Sequence, residues 1–255
     1  MEPWRTAIAT YDDDHIWVRG YDVTALMAQK TFSDTIFLLH QARLPNDGER
    51  RLLDPILVSV ADHGAGAPSC ATARLAASGN RQSPSAAIAA GVLAIGDEHG
   101  GAGSSCMEII AAGLELANER SISIADAARK TVEDSVARKK RLPGLGHRTH
   151  STDPRTAVLF QMARESGVAG RGIEFMEALG QAASEMIRPL PVNVDGALAA
   201  VLHDLGFPPV FGKLVFIIGR VAGLTAEVAE EYAREKAMRI RIPVNYDGVP
   251  PREIE

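Results

Sequence analysis

The chain has 255 residues, 46% apolar and 23% charged, the balance of a folded globular protein of one or two domains with ample material for a core. A formal charge of −5 argues against nucleic acid as a partner, and Cys70 and Cys106, which make no CxxC or metal-ligand spacing, read as buried free thiols of the reducing cytoplasm. Met1-Glu-Pro-Trp-Arg5 lacks a basic-then-apolar leader and apolar runs such as 214–218 are too short for a bilayer, so no membrane partner is expected.

Apolar residues recur at three- and four-residue spacing from Val23 to about Tyr232, which predicts a mostly helical chain. Only 7–18, with its Asp12-Asp13-Asp14 turn, reads as a short hairpin. Thr24 caps a segment, 25–41, that the polar pair Ser33-Asp34 divides into two helices. Beyond the turn 44–48 lie an amphipathic helix, 49–61, a Gly/Pro-rich piece through Pro68, and a small-residue helix, 69–77. The Ala-rich, almost uncharged stretch 83–95 predicts a close-packed interior helix. Helices 105–118 and 124–140 follow, the second announced by Ser123 and Asp126. After a Gly/Pro-built loop come helices 155–166 and 172–187, a kinked approach at 188–195, and helix 196–205. Segment 210–224 is apolar nearly all round except Lys213 and Arg220, so it predicts a buried helix whose arginine needs an anionic partner. A separate amphipathic helix, 225–238, and an extended tail, 239–255, close the chain.

The chemistry concentrates around the loop 141–155. Pro143, Gly144 and Gly146 break regular structure and let the backbone approach another surface, while Asp153-Pro154 starts the next helix, leaving His147 at a loop-to-helix junction. Arg138, Lys139, Lys140 and Arg141 form a cationic run that suits a polyanionic, nucleotide-bearing ligand or, more plainly, a solvated helix end. His99, His147 and Asp195 each abut a helix break; alone, each is more often a turn histidine or an N-cap, and together with His63 they need a shared pocket that spacing cannot show. His147-x-x-His150-x-x-Asp153 carries ligand-type residues, but Pro154 and the glycines take it out of a regular helix, so no metal is expected. Gly100 to Gly103 follow no strand and are no dinucleotide fingerprint.

The series Asp62-His63, Ser69, Ala73-Arg74, His99-Gly100-Gly101-Ala102, Pro143-Gly144-Leu145-Gly146-His147 with Asp153-Pro154-Arg155, and Asn193-Val194-Asp195 resembles the citrate synthase superfamily in order and rough spacing over about residues 20–240. The segment Leu38-Leu39-His40-Gln41-Ala42-Arg43-Leu44-Pro45 also looks like that superfamily's early helix-turn. The chain is shorter than ordinary citrate synthases, and His147 stands eight residues before Arg155, one fewer than is usual in them. Both traits resemble the short citryl-CoA lyase branch, whose core also forms the C-terminal module of ATP-citrate lyase.

The resemblance implies an all-α fold with a large helical domain from 1–101 with 209–255, a small domain from 102–208, and the active site in the cleft between them. It implies cleavage of citryl-CoA, or a close 3-hydroxy-3-carboxyacyl-CoA, to acetyl-CoA and oxaloacetate, with a short citrate synthase as the alternative. Asp195 is then the base at the acetyl methyl, His99 a neutral donor to the thioester oxygen, and His147 the group that exchanges the proton of the citryl hydroxyl. Arg155 and Arg220, with His63, hold the oxaloacetate carboxylates, and Arg239 or Arg241 supplies the arginine expected from a neighbouring subunit. Leu142, Gly144, Leu145 and Gly146 lie against the adenine, with Arg138, Lys139, Lys140 or Arg148 near phosphates. Coenzyme A enters as part of the substrate, with no tightly bound cofactor; a homodimer or higher homo-oligomer and a separate citryl-CoA-forming enzyme complete the implied partners.

Overall fold

The computed structural model describes residues 2–146 and 153–253; His147, Arg148 and His150 lie outside the described residues. The hairpin expected at 7–18 grows by one strand into a small antiparallel sheet of β1 (Ala9–Tyr11), β2 (Ile16–Val18) and β3 (Tyr21–Asp22), in that order. Asp12 Oδ1 closes its first turn by accepting the N–H groups of Asp14 and His15. Arg19 and Gly20 make the second at positive φ.

Eleven helices follow among the described residues. Helix α1 (Val23–Gln29) is capped by Asp22 rather than Thr24, the carboxylate accepting the N–H groups of Thr24 and Ala25. Helix α2 (Phe32–Gln41) begins at the polar pair that divides the segment: Thr31 and Asp34 form a capping box, so Ser33-Asp34 is a first turn. Asn46 and Glu49 do the same for α3 (Asp47–Val60). Pro68 and Pro84 open α4 (Pro68–Gly79) and α5 (Pro84–Leu93), where the missing N–H costs nothing. The remainder are α6 (Ala102–Arg120), α7 (Ile124–Ala137), α8 (Pro154–Glu165), α9 (Arg171–Met186), α10 (Val194–Asp204) and α11 (Phe211–Arg234).

The main apolar cluster runs without a break from Ile36, Leu52 and Ile56 through Met107, Ile110, Phe175, Met176 and Leu179 to Leu198, Leu202, Phe211 and Val215. Helix α10 is sandwiched among α6, α8 and α9, and its residues 196–202 are buried throughout. A second, smaller cluster of Cys70, Ala73, Ala77, Ala87, Leu224 and Val228 joins α4, α5 and α11. Both cysteines are buried free thiols, as expected. No described helix is long and apolar enough to cross a membrane.

Three expectations are corrected. Residues 210–238 form one helix to Arg234 instead of two: Thr225 caps nothing, its hydroxyl instead bonding back to the carbonyl of Ala222 at 2.7 Å inside the helix. Helix α7 stops at Ala137, so the cationic run 138–141 lies beyond it, with Lys139 at positive φ. Helix α5 is not interior to this chain, because only Ala87 and Gly91 are buried and Leu93 is 85% exposed.

Candidate active site

The cleft is built from chain breaks. The end of α3, the start of α4, the loop before α6, the first turns of α8 and α10, and the second and third turns of α11 bring His63, His99, Asp153, Arg155, Asn193, Asp195, Phe216 and Arg220 around a cavity of about 400 Å³. Residues separated by as much as 157 positions, 63 to 220, thereby share one pocket.

Asp195 stands in the first turn of α10, whose N-cap Asn193 accepts the N–H groups of Asp195 and Gly196. Asn193 also donates through Nδ2 to the carbonyl of Gly146, and Gly144 accepts the N–H of Asn193. The Gly-x-Gly loop is therefore the platform on which the start of α10 rests. At Gly144 (φ +80) a Cβ would come within 2.7 Å of Cys106 Sγ and 2.8 Å of Gly196 Cα, so only glycine fits. Burial pushes the Asp195 carboxyl above the ordinary aspartate range, the charge of Arg155 pulls it back in part, and Asp153 adds to the rise.

His99 lies in the loop between α5 and α6, where Gly96 and His99 exchange backbone hydrogen bonds. Its Nε2 accepts the backbone N–H of Ser69, in the first turn of α4, at 3.2 Å and contacts the Ser69 hydroxyl at 2.9 Å. An N–H donor aimed at Nε2 fixes that nitrogen as the acceptor, so the proton of the neutral ring sits on Nδ1. Burial lowers the His99 pKa, and the neighbouring charges of Arg220 and His63 lower it further. Phe216 meets the ring edge-on at 5.8 Å.

Arg220 is only 3% exposed, yet no carboxylate pairs with it among the described residues. Its Nε donates to the carbonyl of Val60 at 2.9 Å, its Nη1 to Ser69 Oγ at 3.2 Å, and its guanidinium lies over the Phe216 ring at 4.8 Å. The anionic partner expected from the sequence is thus not found among the described residues. Arg155 differs: Asp153 holds it through two hydrogen bonds, at 3.0 and 2.8 Å, and Nη1 reaches the Ser59 carbonyl at 3.2 Å. Even so, its guanidinium retains N–H groups beyond those bonds. Asp153 also caps α8 and accepts the N–H of Val194, tying the starts of α8 and α10 together. Burial raises the Asp153 carboxyl and the Arg155 bonds more than offset this, holding it ionised.

Other expected residues lie elsewhere. Arg239 is engaged by Glu231 and Glu235, in a network where Arg74 also binds Glu227 and Glu231. Arg241 stands exposed in the tail. Leu142 and Leu145 pack on the main core, Leu145 pairing with Val192 as a bridge. Arg138 and Lys140, with Arg141, rim a second hollow of about 490 Å³ between α6 and α7, and Lys139 is exposed beside it. His147 and Arg148 fall outside the described residues.

Sequence reasoning did not single out Phe216 or the Ser59 and Val60 carbonyls as site groups. Phe216 had one usable signal, its place one helical turn before Arg220 on the same face; a carbonyl oxygen carries none.

Comparison with known proteins follows this geometry. The family described as the C-terminal domain of citrate synthase matches residues 45–241. This chain belongs to the citrate synthase family. The glyoxysomal citrate synthase of Cucurbita maxima is 30% identical over 223 residues, covering 82% of this chain and 41% of that protein. The chain spans about half the length of the curated relatives it matches. Among solved structures, the citryl-CoA lyase of Hydrogenobacter thermophilus superposes with a TM-score of 0.91 at 37% identity, covering 100% of this chain and 98% of that one. The ATP citrate lyase of Methanothrix soehngenii, in complex with citrate and coenzyme A, shares the fold at a TM-score of 0.76 and 19% identity, over 97% of this chain and 43% of its own.

Proposed function

We propose that this protein is a citryl-CoA lyase, which cleaves citryl-CoA to oxaloacetate and acetyl-CoA. The observation that carries the reading is Arg220: a buried guanidinium with carbonyl, hydroxyl and aromatic partners but no carboxylate paired with it among the described residues, opening on the cleft that holds Asp195 and His99. Such a cation calls for a carboxylate-bearing ligand. Likeness to the Hydrogenobacter lyase at 37% identity and a TM-score of 0.91, against 18% and 0.61 for the citrate synthase of Thermotoga maritima, supports the lyase over a short citrate synthase.

In cleavage, a base takes the proton of the citryl hydroxyl, the role expected of His147. The electron pair of that O–H bond forms the keto carbonyl of oxaloacetate, the carbon–carbon bond breaks, and its electrons pass into the thioester enolate. His99, protonated on Nδ1 and neutral, donates to the enolate oxygen. Asp195 in its acid form delivers the proton that turns the methylene carbon into the acetyl methyl. Arg220 and Arg155 hold carboxylates of the oxaloacetate half, with His63 beside them.

Coenzyme A is part of the substrate and no tightly bound cofactor takes part; the loop Leu142–Gly146 receives its adenine and the cationic run its phosphates. The protein works in the cytoplasm as a homodimer supplied by a separate citryl-CoA-forming enzyme, with 1–101 and 209–255 as one domain closing on 102–208.

The test supplies citryl-CoA and couples oxaloacetate to malate dehydrogenase, expecting oxidation of NADH. In the converse mixture, acetyl-CoA plus oxaloacetate, a lyase keeps the thioester intact and releases no free thiol. Rapid stoichiometric thiol release there identifies a synthase, which must also hydrolyse the citryl thioester.

A further inference from the structure

The segments that carry His63, Ser69 and Arg220 also bring together three groups that the cleavage does not use. Asp62, Cys70 and Glu227 place a carboxylate oxygen, a thiol sulfur and a second carboxylate oxygen within 4.8 Å of one another. Positions 62, 70 and 227 make no ligand motif along the chain, so packing alone assembles them. Asp62 comes from the link after α3, Cys70 from the first turn of α4, and Glu227 from α11, where Arg220, Gly223 and Glu227 follow one another on one face.

The groups around these three hold them in place. Asp62 Oδ1 accepts the N–H of Gly64 at 2.6 Å, which leaves Oδ2 facing Cys70 Sγ, 3.5 Å away. A tetrahedral zinc ion with bonds of about 2.3 Å to sulfur and about 2.1 Å to oxygen sets those two ligands about 3.6 Å apart. The Asp62–Cys70 separation is therefore already one edge of such a tetrahedron. Glu227 is held by Arg74, which also pairs with Glu231 at 3.0 Å. A carboxylate has two oxygens, so one can stay with Arg74 while the other turns to a metal. Gly223 keeps the room, since a Cβ there would lie 2.6 Å from Asp62 Oδ2. Cys70 and Glu227 are buried and Asp62 is exposed, which closes the cluster on the protein side and opens one corner to solvent.

We propose that Asp62, Cys70 and Glu227 form a site for one thiophilic divalent cation of the zinc class, with water as the fourth ligand. The sulfur selects the class, because magnesium and calcium are held by oxygen ligands. On binding, the Cys70 S–H bond breaks, its proton leaves to solvent, and the sulfur electron pair forms the metal–sulfur bond. Three anionic ligands then meet an ion of charge 2+, and Arg220 Nη1, 4.0 Å from the sulfur, faces the negative charge that remains. The ion takes no part in the reaction. It ties the α3–α4 link, α4 and α11 together next to His63, Ser69 and Arg220, where without it the link rests on the weak bond from the Cys70 thiol to Asp62.

The test strips the full-length protein with a chelator and titrates it with cadmium, because cadmium on a thiolate gives an ultraviolet charge-transfer band that a site of histidines and carboxylates lacks. One band-forming ion per chain is expected in the wild type and in Cys106→Ser, whose sulfur belongs to the other apolar cluster. Cys70→Ser should abolish the band, and Glu227→Gln and Asp62→Asn should each weaken cadmium binding by about tenfold or more. Zinc should displace cadmium and raise the melting temperature, and magnesium should do neither. Absence of the band, a band that persists in Cys70→Ser or vanishes in Cys106→Ser, or displacement by magnesium would each overturn the proposal. Should Cys70→Ser fail to fold, undiminished affinity in Glu227→Gln and Asp62→Asn overturns it equally. None of these readouts depends on the reaction catalysed.

Discussion

A carboxyl group held toward its neutral form by burial can give a proton as readily as take one, and Asp195 is so placed. Cleavage must start with Asp195 protonated, so kcat/KM for citryl-CoA should fall as pH rises through the Asp195 ionisation. Condensation must start with it ionised, so the reverse reaction should fall as pH drops through the same value, above the ordinary aspartate range. Asp195→Asn should lose about 10²–10⁴-fold in turnover, lack both limbs and still bind oxaloacetate. A basic limb in cleavage that survives in Asp195→Asn would assign it to another group. With pH, stability moves the same way as cleavage; on substitution the two move oppositely. With its folded pKa above the unfolded one, Asp195 favours the folded state while protonated and loses that contribution as pH climbs through the window between the two, so Asp195→Asn should melt a few degrees higher at pH 7. Arg220→Met removes a buried cation that pairs with no carboxylate among the described residues, so thermal stability should change little while oxaloacetate affinity drops about 10–100-fold, read by calorimetry. Arg155→Ala is a harsher change, because it also takes two hydrogen bonds from buried Asp153 and should cost about 1–3 kcal/mol of stability.

At the scale of elements, the site depends on how closely α11 approaches α6. A Cβ on Gly212 would lie 2.6 Å from the backbone of Gly103 and Ser104, and neither can yield without moving its helix. Gly212→Ala should therefore cost about 1–3 kcal/mol, seen as a lowered Tm, and should weaken oxaloacetate binding as well, because Phe216 and Arg220 lie one and two turns further along the displaced helix. Unchanged stability would mean that the two helices separate freely. What the sequence made legible here follows from local chemistry. Helix starts were readable at Ser123 and Asp153, where a side chain satisfies backbone N–H groups, but the caps Asp22 and Asn193 were missed by two residues each, at Thr24 and Asp195, because neighbouring capping-type residues compete in one dimension. The split at 224/225 misled because a change from all-round apolar to amphipathic composition marks where one helix leaves the core, not where it ends. Helix α5 misled because apolar composition does not say whether this chain buries the surface. The grouping of His63, His99, Arg155, Asp195 and Arg220 rests on packing across the fold, and motif resemblance alone suggested it in advance.

For the whole molecule, the cleft lies between two sets of elements that share a core. His63, His99 and Arg220 come from the α3–α4 link, the loop before α6, and α11; Asp153, Arg155 and Asp195 come from the starts of α8 and α10. If the two sets close on ligand, as proposed, the unbroken apolar cluster forbids their separating, because Phe37, Phe207 and Phe211 form a ring stack that bridges α2 to the start of α11. Closure is then a small rotation about that stack and the Gly103–Gly212 crossing, with the cleft side moving most. The exposed pair Arg141–Glu98, 3.6 Å apart across the mouth, marks where the rims approach. Small-angle scattering with oxaloacetate plus a non-reactive CoA thioester analogue should show a reduced radius of gyration, while the proposed homodimer should keep the mass at two chains in both states at micromolar concentration. Identical curves in the free and doubly liganded states would show that the cleft is already closed and that Asp195 and His99 stand preorganised without motion.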